Sequence, residues 1–91
     1  MKKSLTYKVE TVACRVEKQI LKLPREERNR VAKKILQLEN EPRPVGAVKL
    51  KDDIYRIRIG KYRVIYEVDD RKRLVVITKV ARRMEATYKR I

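Results

Sequence analysis

Residues 54–66 contain a β-hairpin pattern that limits how the rest of the chain can fold. Over 54–59, apolar and arginine side chains alternate, which is the pattern of a strand with one buried and one exposed face. Gly60 and Lys61 follow, and glycine in the first of two turn positions is typical of a type II′ turn. Such a turn fixes the register of the two strands and places Arg58 directly opposite Arg63.

The predicted Arg58–Arg63 pair raises a functional question. Like charges that face each other across two strands destabilise a sheet, and Arg56 lies on the same face of the hairpin. A local conflict of this kind favours a role other than folding. The alternative, that these arginines are simply solvated, is the more common situation on strand surfaces and stays open here.

Length and charge limit the class of protein. The 91 residues, 43% of them hydrophobic, suit a single domain over 1–91 with one modest core. Lys and Arg number 26 against 12 Asp and Glu, a net charge of +14, and both halves of the chain are basic. We therefore expect a polyanionic partner, which could be nucleic acid, an anionic membrane or an acidic protein.

Missing residue types exclude several kinds of site. The chain has no histidine, so it lacks the commonest general acid/base and the commonest metal ligand. The lone Cys14 excludes internal disulfides and a thiolate metal cage. We expect no metal and no cofactor. Without an apolar run of membrane-spanning length or a signal segment, we expect no membrane association and a cytoplasmic location.

The N-terminal half predicts one strand and two helices. Residues 5–9 alternate between apolar and polar side chains, as in a strand. Apolar residues then recur at helical spacing, with Thr11 as the predicted N-cap and Pro24 separating a second helix, whose first position it can occupy. The proline-rich segment 41–46 ends that helix. Two short amphipathic helices joined in this way should form an antiparallel hairpin.

The C-terminal half predicts strands followed by a tail. After the 54–66 hairpin come a turn at 69–72, an apolar strand over 73–80 and a mildly helical segment over 82–91. The predicted fold class is α+β. It has an N-terminal strand, an antiparallel two-helix hairpin, a three-stranded antiparallel meander joined with that strand in one twisted sheet, and a short C-terminal helical tail. The helices should cover one face of the sheet.

The other face should collect basic side chains. A four-residue turn at 69–72 would place Arg63 opposite Thr78. The predicted row then consists of Arg56, Arg58, Arg63, Thr78, either Arg82 or Arg83, and Tyr88. Guanidinium groups grip phosphates with planar pairs of donors and stabilise charge that develops on phosphorus.

Two stretches carry a family resemblance: residues 49–69, centred on Tyr-Arg-Ile-Arg-Ile-Gly-Lys-Tyr-Arg, and Val-Ala-Arg-Arg at 80–83 followed by Tyr88. Together they resemble the RelE/ParE superfamily of toxins from type II toxin–antitoxin pairs, and the likeness extends over nearly the whole chain. It implies a RelE-like fold. RelE-type members are ribosome-dependent endoribonucleases that cut mRNA without metal, by attack of the ribose 2′-hydroxyl on the adjacent phosphate, and so inhibit translation.

The resemblance also implies site residues. The expected catalytic residues are Arg56, Arg58, Arg63, Arg83 and Tyr88. The expected RNA-binding residues are Lys49, Lys51, Lys61 and Arg82. Arginine is effectively never deprotonated and is a poor base. The general base therefore stays open among Lys49, Lys51, Glu67 and Tyr88.

Three functions remain open from the sequence. The favoured one is an mRNA interferase of RelE type, because the arginines and Tyr88 are all present. The alternatives are a ParE-like, non-catalytic inhibitor of DNA gyrase and an inactive basic module that binds nucleic acid. The toxin interpretation implies a cognate antitoxin, the ribosome and mRNA as partners, with the free toxin as a monomer.

Overall fold

The computed structural model describes residues 6–82, which form two helices and one five-stranded sheet. In chain order the elements are β1 (Lys8–Thr11), α1 (Cys14–Leu21), α2 (Arg25–Gln37), β2 (Val48–Lys51), β3 (Ile54–Ile59), β4 (Tyr62–Asp69) and β5 (Leu74–Arg82). The sheet order is β1-β5-β4-β3-β2, with β1 parallel to β5 and every other pair antiparallel. The predicted α+β class is confirmed. No helix within 6–82 is long and apolar enough to cross a bilayer.

The central hairpin has the predicted register. Arg58 pairs with Arg63, and Ile59 pairs with Tyr62. Gly60 has a φ of +61°, and Lys61 is not among the residues of positive φ, as expected for a type II′ turn. The turn chemistry therefore decides which β3 and β4 side chains share a face.

The core lies on one face of the sheet, beneath both helices. Alternation in β3 and β4 turns every second residue toward α1 and α2, where these side chains lose almost all contact with water. The buried cluster comprises Val16, Val31, Leu38, Tyr55, Ile57, Ile59, Val64, Tyr66, Val68, Val75, Ile77 and Val80. Full burial of one aliphatic side chain of this kind stabilises the fold by about 1.5–3 kcal/mol. Neither of the two helices within residues 6–82 covers the opposite face of β3 and β4.

The N-terminal boundaries differ from the prediction. Thr11 is the last residue of β1 rather than a helix cap, and its hydroxyl donates to the Glu17 carboxylate at 3.0 Å. Ala13 occupies the N-cap position without a side-chain hydrogen bond. Pro24 is the N-cap of α2 instead of its first residue. Its carbonyl accepts the hydrogen bond of the first helical turn, from the Arg28 amide at 2.7 Å.

A fifth strand, β2, was not predicted. It pairs with β3 through a turn in which Asp52 has a φ of +44°. Asp tolerates this left-handed conformation through local hydrogen bonding. All four β2 residues are exposed, so the strand lacks the pattern of one buried face. The predicted meander is therefore one strand short at the sheet edge.

The register between β4 and β5 also differs from the prediction. Asp69 pairs with Leu74, so the connecting turn spans 70–73, and an irregularity follows where Ile65 pairs with Lys79 but Tyr66 pairs with Ile77. Thr78 is the extra residue of this bulge, and its hydroxyl donates to the Ile65 carbonyl at 3.0 Å. The predicted C-terminal helical tail, apart from Arg82 at the end of β5, lies outside the described residues.

An ion-pair cluster fixes the segment that leaves α2. Arg43 donates two hydrogen bonds to the Asp70 carboxylate, at 2.9 and 3.2 Å, and a third to the Tyr55 hydroxyl at 2.8 Å. The Tyr7 hydroxyl donates to the same carboxylate at 2.6 Å. These bonds, with Arg43 first, hold the pKa of Asp70 below its usual value. The cluster ties the α2 exit to both ends of the sheet.

A buried tyrosine reinforces that attachment. The Tyr66 side chain is fully buried, and its hydroxyl donates to the Pro42 carbonyl at 2.8 Å. Burial raises the pKa of Tyr66 to about 12. A polar group buried this deeply needs a partner, and the carbonyl supplies it.

Candidate nucleic-acid interface

Three arginines gather on the sheet face that the helices leave uncovered. Arg56 and Arg58 alternate with the buried residues of β3, and Arg63 does so on β4. Arg58 and Arg63 are directly paired, so their Cβ atoms lie about 5 Å apart, and Arg56 lies diagonally from Arg63 at roughly 7–8 Å. We call these three residues the arginine cluster. Their guanidinium groups can reach one phosphate together.

No arginine of the cluster forms a salt bridge with the described part of the chain. The salt bridges within 6–82 are those of Lys8 with Glu10 and of Arg43 with Asp70. The Nε atoms of Arg56 and Arg63 are buried and find no hydrogen-bond partner among these residues. Leaving a buried donor unpaired costs about 1–3 kcal/mol, so each such group calls for an explanation. Both arginines are half-exposed as residues, so a phosphate can contact the parts of their side chains that remain accessible.

On β5, the residue opposite the cluster is small. Ala81 pairs with Arg63, in place of the predicted Thr78, because the shifted turn and the bulge move β5 along β4. Thr78 is occupied by its bond to the Ile65 carbonyl. The prediction that Thr78 belongs to the arginine row was therefore wrong. The methyl side chain of Ala81 leaves space beside the Arg63 guanidinium.

The far end of the same face is acidic. Asp53, Glu67 and Asp69 line a pocket of about 250 Å³ there. Glu67 lies four residues from Arg63 along β4, which corresponds to about 13 Å at 3.3 Å per residue. A general base must lie within about 3 Å of the proton that it takes, or act through one water. Glu67 also lies diagonally from Arg56 across β3 and β4, as Arg63 does on the other side, so it stays a candidate base at the Arg56 end of the arginine cluster.

The two β2 lysines differ in position. Lys51 pairs with Ile54, which lies on the same face as Arg56, whereas Lys49 pairs with Tyr55, whose ring belongs to the core side. Paired residues share a face, so Lys51 borders the arginine face and Lys49 lies toward the helices. Both lysines are exposed. Lys61, also exposed, lies in the β3–β4 turn at the arginine end of the sheet.

Arg82 lies on the other side of the sheet. It pairs with Tyr62, a residue buried on the helix side. A hydrogen bond to Glu27 raises the pKa of Tyr62, and the positive charge of Arg82 acts in the opposite direction. Of the two arginines that the prediction left open, Arg82 therefore does not continue the arginine row. Arg83 and Tyr88 lie outside the described residues.

Comparison with known proteins identifies the family. A family model described as the ParE toxin of the type II toxin–antitoxin system, parDE, matches residues 12–87, which is most of the chain. The chain belongs to the RelE/ParE superfamily of type II toxins. Within the superfamily its relatives carry RelE names. The Methanocaldococcus jannaschii protein named "Putative toxin RelE1" is 36% identical over 80 residues, covering 82% of this chain and 88% of the relative.

Solved structures agree with this assignment. RelE in the archaeal RelE–RelB complex of Pyrococcus horikoshii is similar with a TM-score of 0.75 and 32% identity, over 86% of this chain and 96% of that one. The isolated RelE toxin of E. coli is similar with a TM-score of 0.74 and 26% identity, over 86% and 85% of the two chains. The two-helix, five-stranded fold is therefore that of RelE toxins.

This toxin also has a basic pocket that sequence reasoning missed. The pocket lies between α2 and the end of β3, and Arg30, Lys33, Lys34 and Arg58 supply its positive charge. These α2 cations lie on the polar side of an amphipathic helix, and such a side is usually solvated. The sequence signal for the pocket was the spacing of the like charges, three and four residues apart. Such pairs weaken a helix, which favours a role other than folding.

Proposed function

We propose that this chain is a ribosome-dependent mRNA endoribonuclease that inhibits translation in the cytoplasm. The observation that carries the proposal is the arginine cluster, whose three guanidinium groups form no salt bridge within residues 6–82 and lie on the sheet face opposite α1 and α2. Two of them have a buried Nε–H group without an acceptor among residues 6–82. Membership of a toxin superfamily with RelE-named relatives supplies the reaction class.

In the proposed reaction the ribose 2′-hydroxyl attacks the adjacent phosphorus. The bond from phosphorus to the 5′-oxygen breaks, which leaves a 2′,3′-cyclic phosphate and a free 5′-hydroxyl. Arg63, with Arg58 and Arg56 beside it, binds the non-bridging oxygens and stabilises the additional negative charge of the transition state. Holding the RNA in line for attack provides a further part of the rate.

Proton transfer needs groups other than the arginine cluster, since arginine keeps its proton. Lys51 and Glu67 both lie on the arginine face, and Tyr88 is a further candidate base. Ribosomal groups can complete the site, which accounts for the dependence of the proposed activity on the ribosome. In this proposal the toxin supplies the arginines that bind the phosphate, and the toxin and the ribosome together supply the groups that transfer protons.

The proposed regulator is a cognate antitoxin. The Pyrococcus horikoshii relative was crystallised as a RelE–RelB complex. A chain of net charge +14 suits a partner with acidic or amphipathic segments. We propose that the antitoxin wraps the helices and the sheet edge and covers or distorts the arginine cluster, and that the free toxin is a monomer.

Incubation with translating ribosomes tests the proposal. The purified protein should cut mRNA and leave a cyclic phosphate, and Arg63→Gln should lower the single-turnover rate by about 10²-fold or more, the scale for removing one group that stabilises the transition state. Arg71→Gln, in the exposed β4–β5 turn, removes an equal charge and should cleave normally. Intact mRNA with a folded wild-type protein would reject the proposed activity.

Inhibition of DNA gyrase is the second candidate, and the description of the matching family model as a ParE toxin favours it. One fold serves both activities, so the fold cannot decide between them. A supercoiling assay separates the two. Inhibited gyrase together with uncut mRNA would favour the ParE-like function, whereas RNA binding with neither effect would indicate an inactive basic module.

A further inference from the structure

A second basic site lies beside the arginine cluster, on the helix side of the sheet edge. It is a pocket of about 310 Å³ whose walls are Arg30, Lys33, Lys34 and Gln37 of α2 and Arg58, Ile59 and Gly60 of the hairpin. We call it the α2–β3 pocket. Four of these residues are cationic and none is acidic.

The short β2 strand creates the opening. Its pairing with β3 begins at Val48 opposite Arg56 and runs away from the hairpin turn, so the last residues of β3 have an edge that β2 does not cover. Arg58 lines the pocket at this open edge, although it belongs to the arginine cluster. The two basic sites are therefore continuous around the end of β3.

Gly60 lets α2 approach the turn. A Cβ atom at this position would lie 3.1 Å from Nη1 of Arg30, and the φ of +61° would strain any other L residue. The Arg30 guanidinium can therefore lie against the turn backbone. Neither Arg30 nor the two lysines takes part in a salt bridge within residues 6–82. The like charges of Arg30 with Lys33 and Lys34 lie at spacings of three and four residues, which are unfavourable for the helix.

We propose that the α2–β3 pocket binds a phosphodiester group of RNA other than the one that is cleaved. The identity of the ligand rests on the proposed function. A polyanion bound in the pocket can extend past Arg58 to the arginine cluster and remain in contact with basic residues along this path. A cavity of about 310 Å³ has room for a phosphate with part of its sugar, since small-ligand pockets begin at roughly 300 Å³. Four cations also exceed what one carboxylate of a peptide needs.

Salt-dependent binding tests the pocket. The pocket variant carries Arg30→Gln, Lys33→Gln and Lys34→Gln together. The matched control carries Arg15→Gln, Lys18→Gln and Lys22→Gln, which remove one arginine and two lysines from exposed positions of α1 and its C-cap. The probe is a fluorescent single-stranded RNA oligonucleotide, with anisotropy measured from 50 to 200 mM KCl. Circular dichroism confirms that both variants are folded.

The pocket variant should bind more weakly and depend less on salt than the control. Each lost phosphate contact lowers the slope of log K against log salt by about 0.7 on single strands. The ratio of the wild-type to the variant association constant should then fall by about 2.6-fold per lost contact as KCl rises from 50 to 200 mM. In the wild type, the Gly60 amide resonance should shift on addition of the oligonucleotide, and in the pocket variant it should not.

Other outcomes would overturn the inference. Equal losses in slope for the pocket variant and its control would mean that the charges act only diffusely. Unchanged RNA binding with weakened binding of the antitoxin would assign the pocket to an acidic protein segment. The cleavage assay is separate: a wild type that binds through the pocket but cuts no mRNA on ribosomes would reject the proposed function and leave the pocket as an RNA site.

Discussion

Replacing Arg63 with glutamine should stabilise the fold while it removes the function. Arg63 is paired with Arg58 and lies diagonally from Arg56, so the native sheet holds three positive charges together. Glutamine keeps most of the side-chain length and its hydrogen-bonding capacity. It removes the charge at the centre of the arginine cluster, while its amide group can occupy the position of the buried Nε–H group.

The expected gain follows from Coulomb's law. Two charges about 6 Å apart repel by about 0.7 kcal/mol in water, and two about 8 Å apart repel by about 0.5 kcal/mol. A Debye length of about 8 Å at physiological salt reduces the sum to about 0.5 kcal/mol. Arg63→Gln should therefore raise the free energy of unfolding by about 0.5–1 kcal/mol between physiological and low salt. For a domain of this size that corresponds to roughly 2–8 °C in Tm.

Thermal melts at two salt concentrations measure this effect. The gain in Tm should be present at 50 mM NaCl and nearly absent at 1 M, where the Debye length falls to about 3 Å. Arg71→Gln, in the exposed turn, serves as the control and should change Tm little at either concentration. A loss of 1 kcal/mol or more for Arg63→Gln at both concentrations would refute the reasoning, because Arg63 would then be holding the fold together.

Three further substitutions test contacts outside the arginine cluster. Tyr66→Phe leaves a buried backbone carbonyl without its 2.8 Å donor and should cost about 1–3 kcal/mol in a urea titration. Gly60→Ala forces alanine into a left-handed conformation with its Cβ atom 3.1 Å from Arg30, and should lower the free energy of unfolding by about 1–3 kcal/mol. Asp70→Asn should destabilise at pH 7. Because Arg43 lowers the pKa of Asp70, the stability that the carboxylate contributes is lost as pH falls through that lowered pKa. In urea titrations across pH, the difference between wild type and variant should therefore be constant near neutral pH and begin to shrink only below about pH 4.

Sequence reasoning succeeded where the determinants are local. The β3–β4 register depends on a two-residue turn with glycine first, so the Arg58–Arg63 pair could be predicted and is confirmed. The β4–β5 register depends on a bulge at Thr78 and on a turn in which Arg73 adopts a φ of +53°. Neither feature has a glycine to mark it, which is why the predicted register was shifted.

The site, too, could be predicted only where local sequence determines the geometry. Alternation alone places Arg56, Arg58 and Arg63 on one face, because the period of a strand is two residues. Alternation could not decide between Arg82 and Arg83, because one bulge reverses the face of every later residue. The α2–β3 pocket could not be predicted because it depends on where β2 ends beside β3 and on how α2 packs across the turn. These are contacts between elements, which the periodicity of a single element does not encode.

The pH dependence of cleavage should reveal how the chemistry is divided between toxin and ribosome. The whole sequence contains no histidine, the one side chain that ordinarily changes charge between pH 5 and 8. Arginine does not titrate, and lysine and tyrosine ordinarily titrate near about pH 10. A reaction limited by deprotonation of the 2′-hydroxyl, or of a lysine or tyrosine base, should therefore accelerate about tenfold per pH unit from 6 to 8.5.

Single-turnover cleavage on ribosomes measures this slope. A bell-shaped profile with an apparent pKa near about 6.5 would contradict the reasoning, because no side chain of the arginine cluster could produce it. Arg63→Gln should lower the cleavage rate by the same factor at every pH and leave the slope of log rate against pH unchanged. This arginine positions the phosphate and stabilises charge, but it transfers no proton.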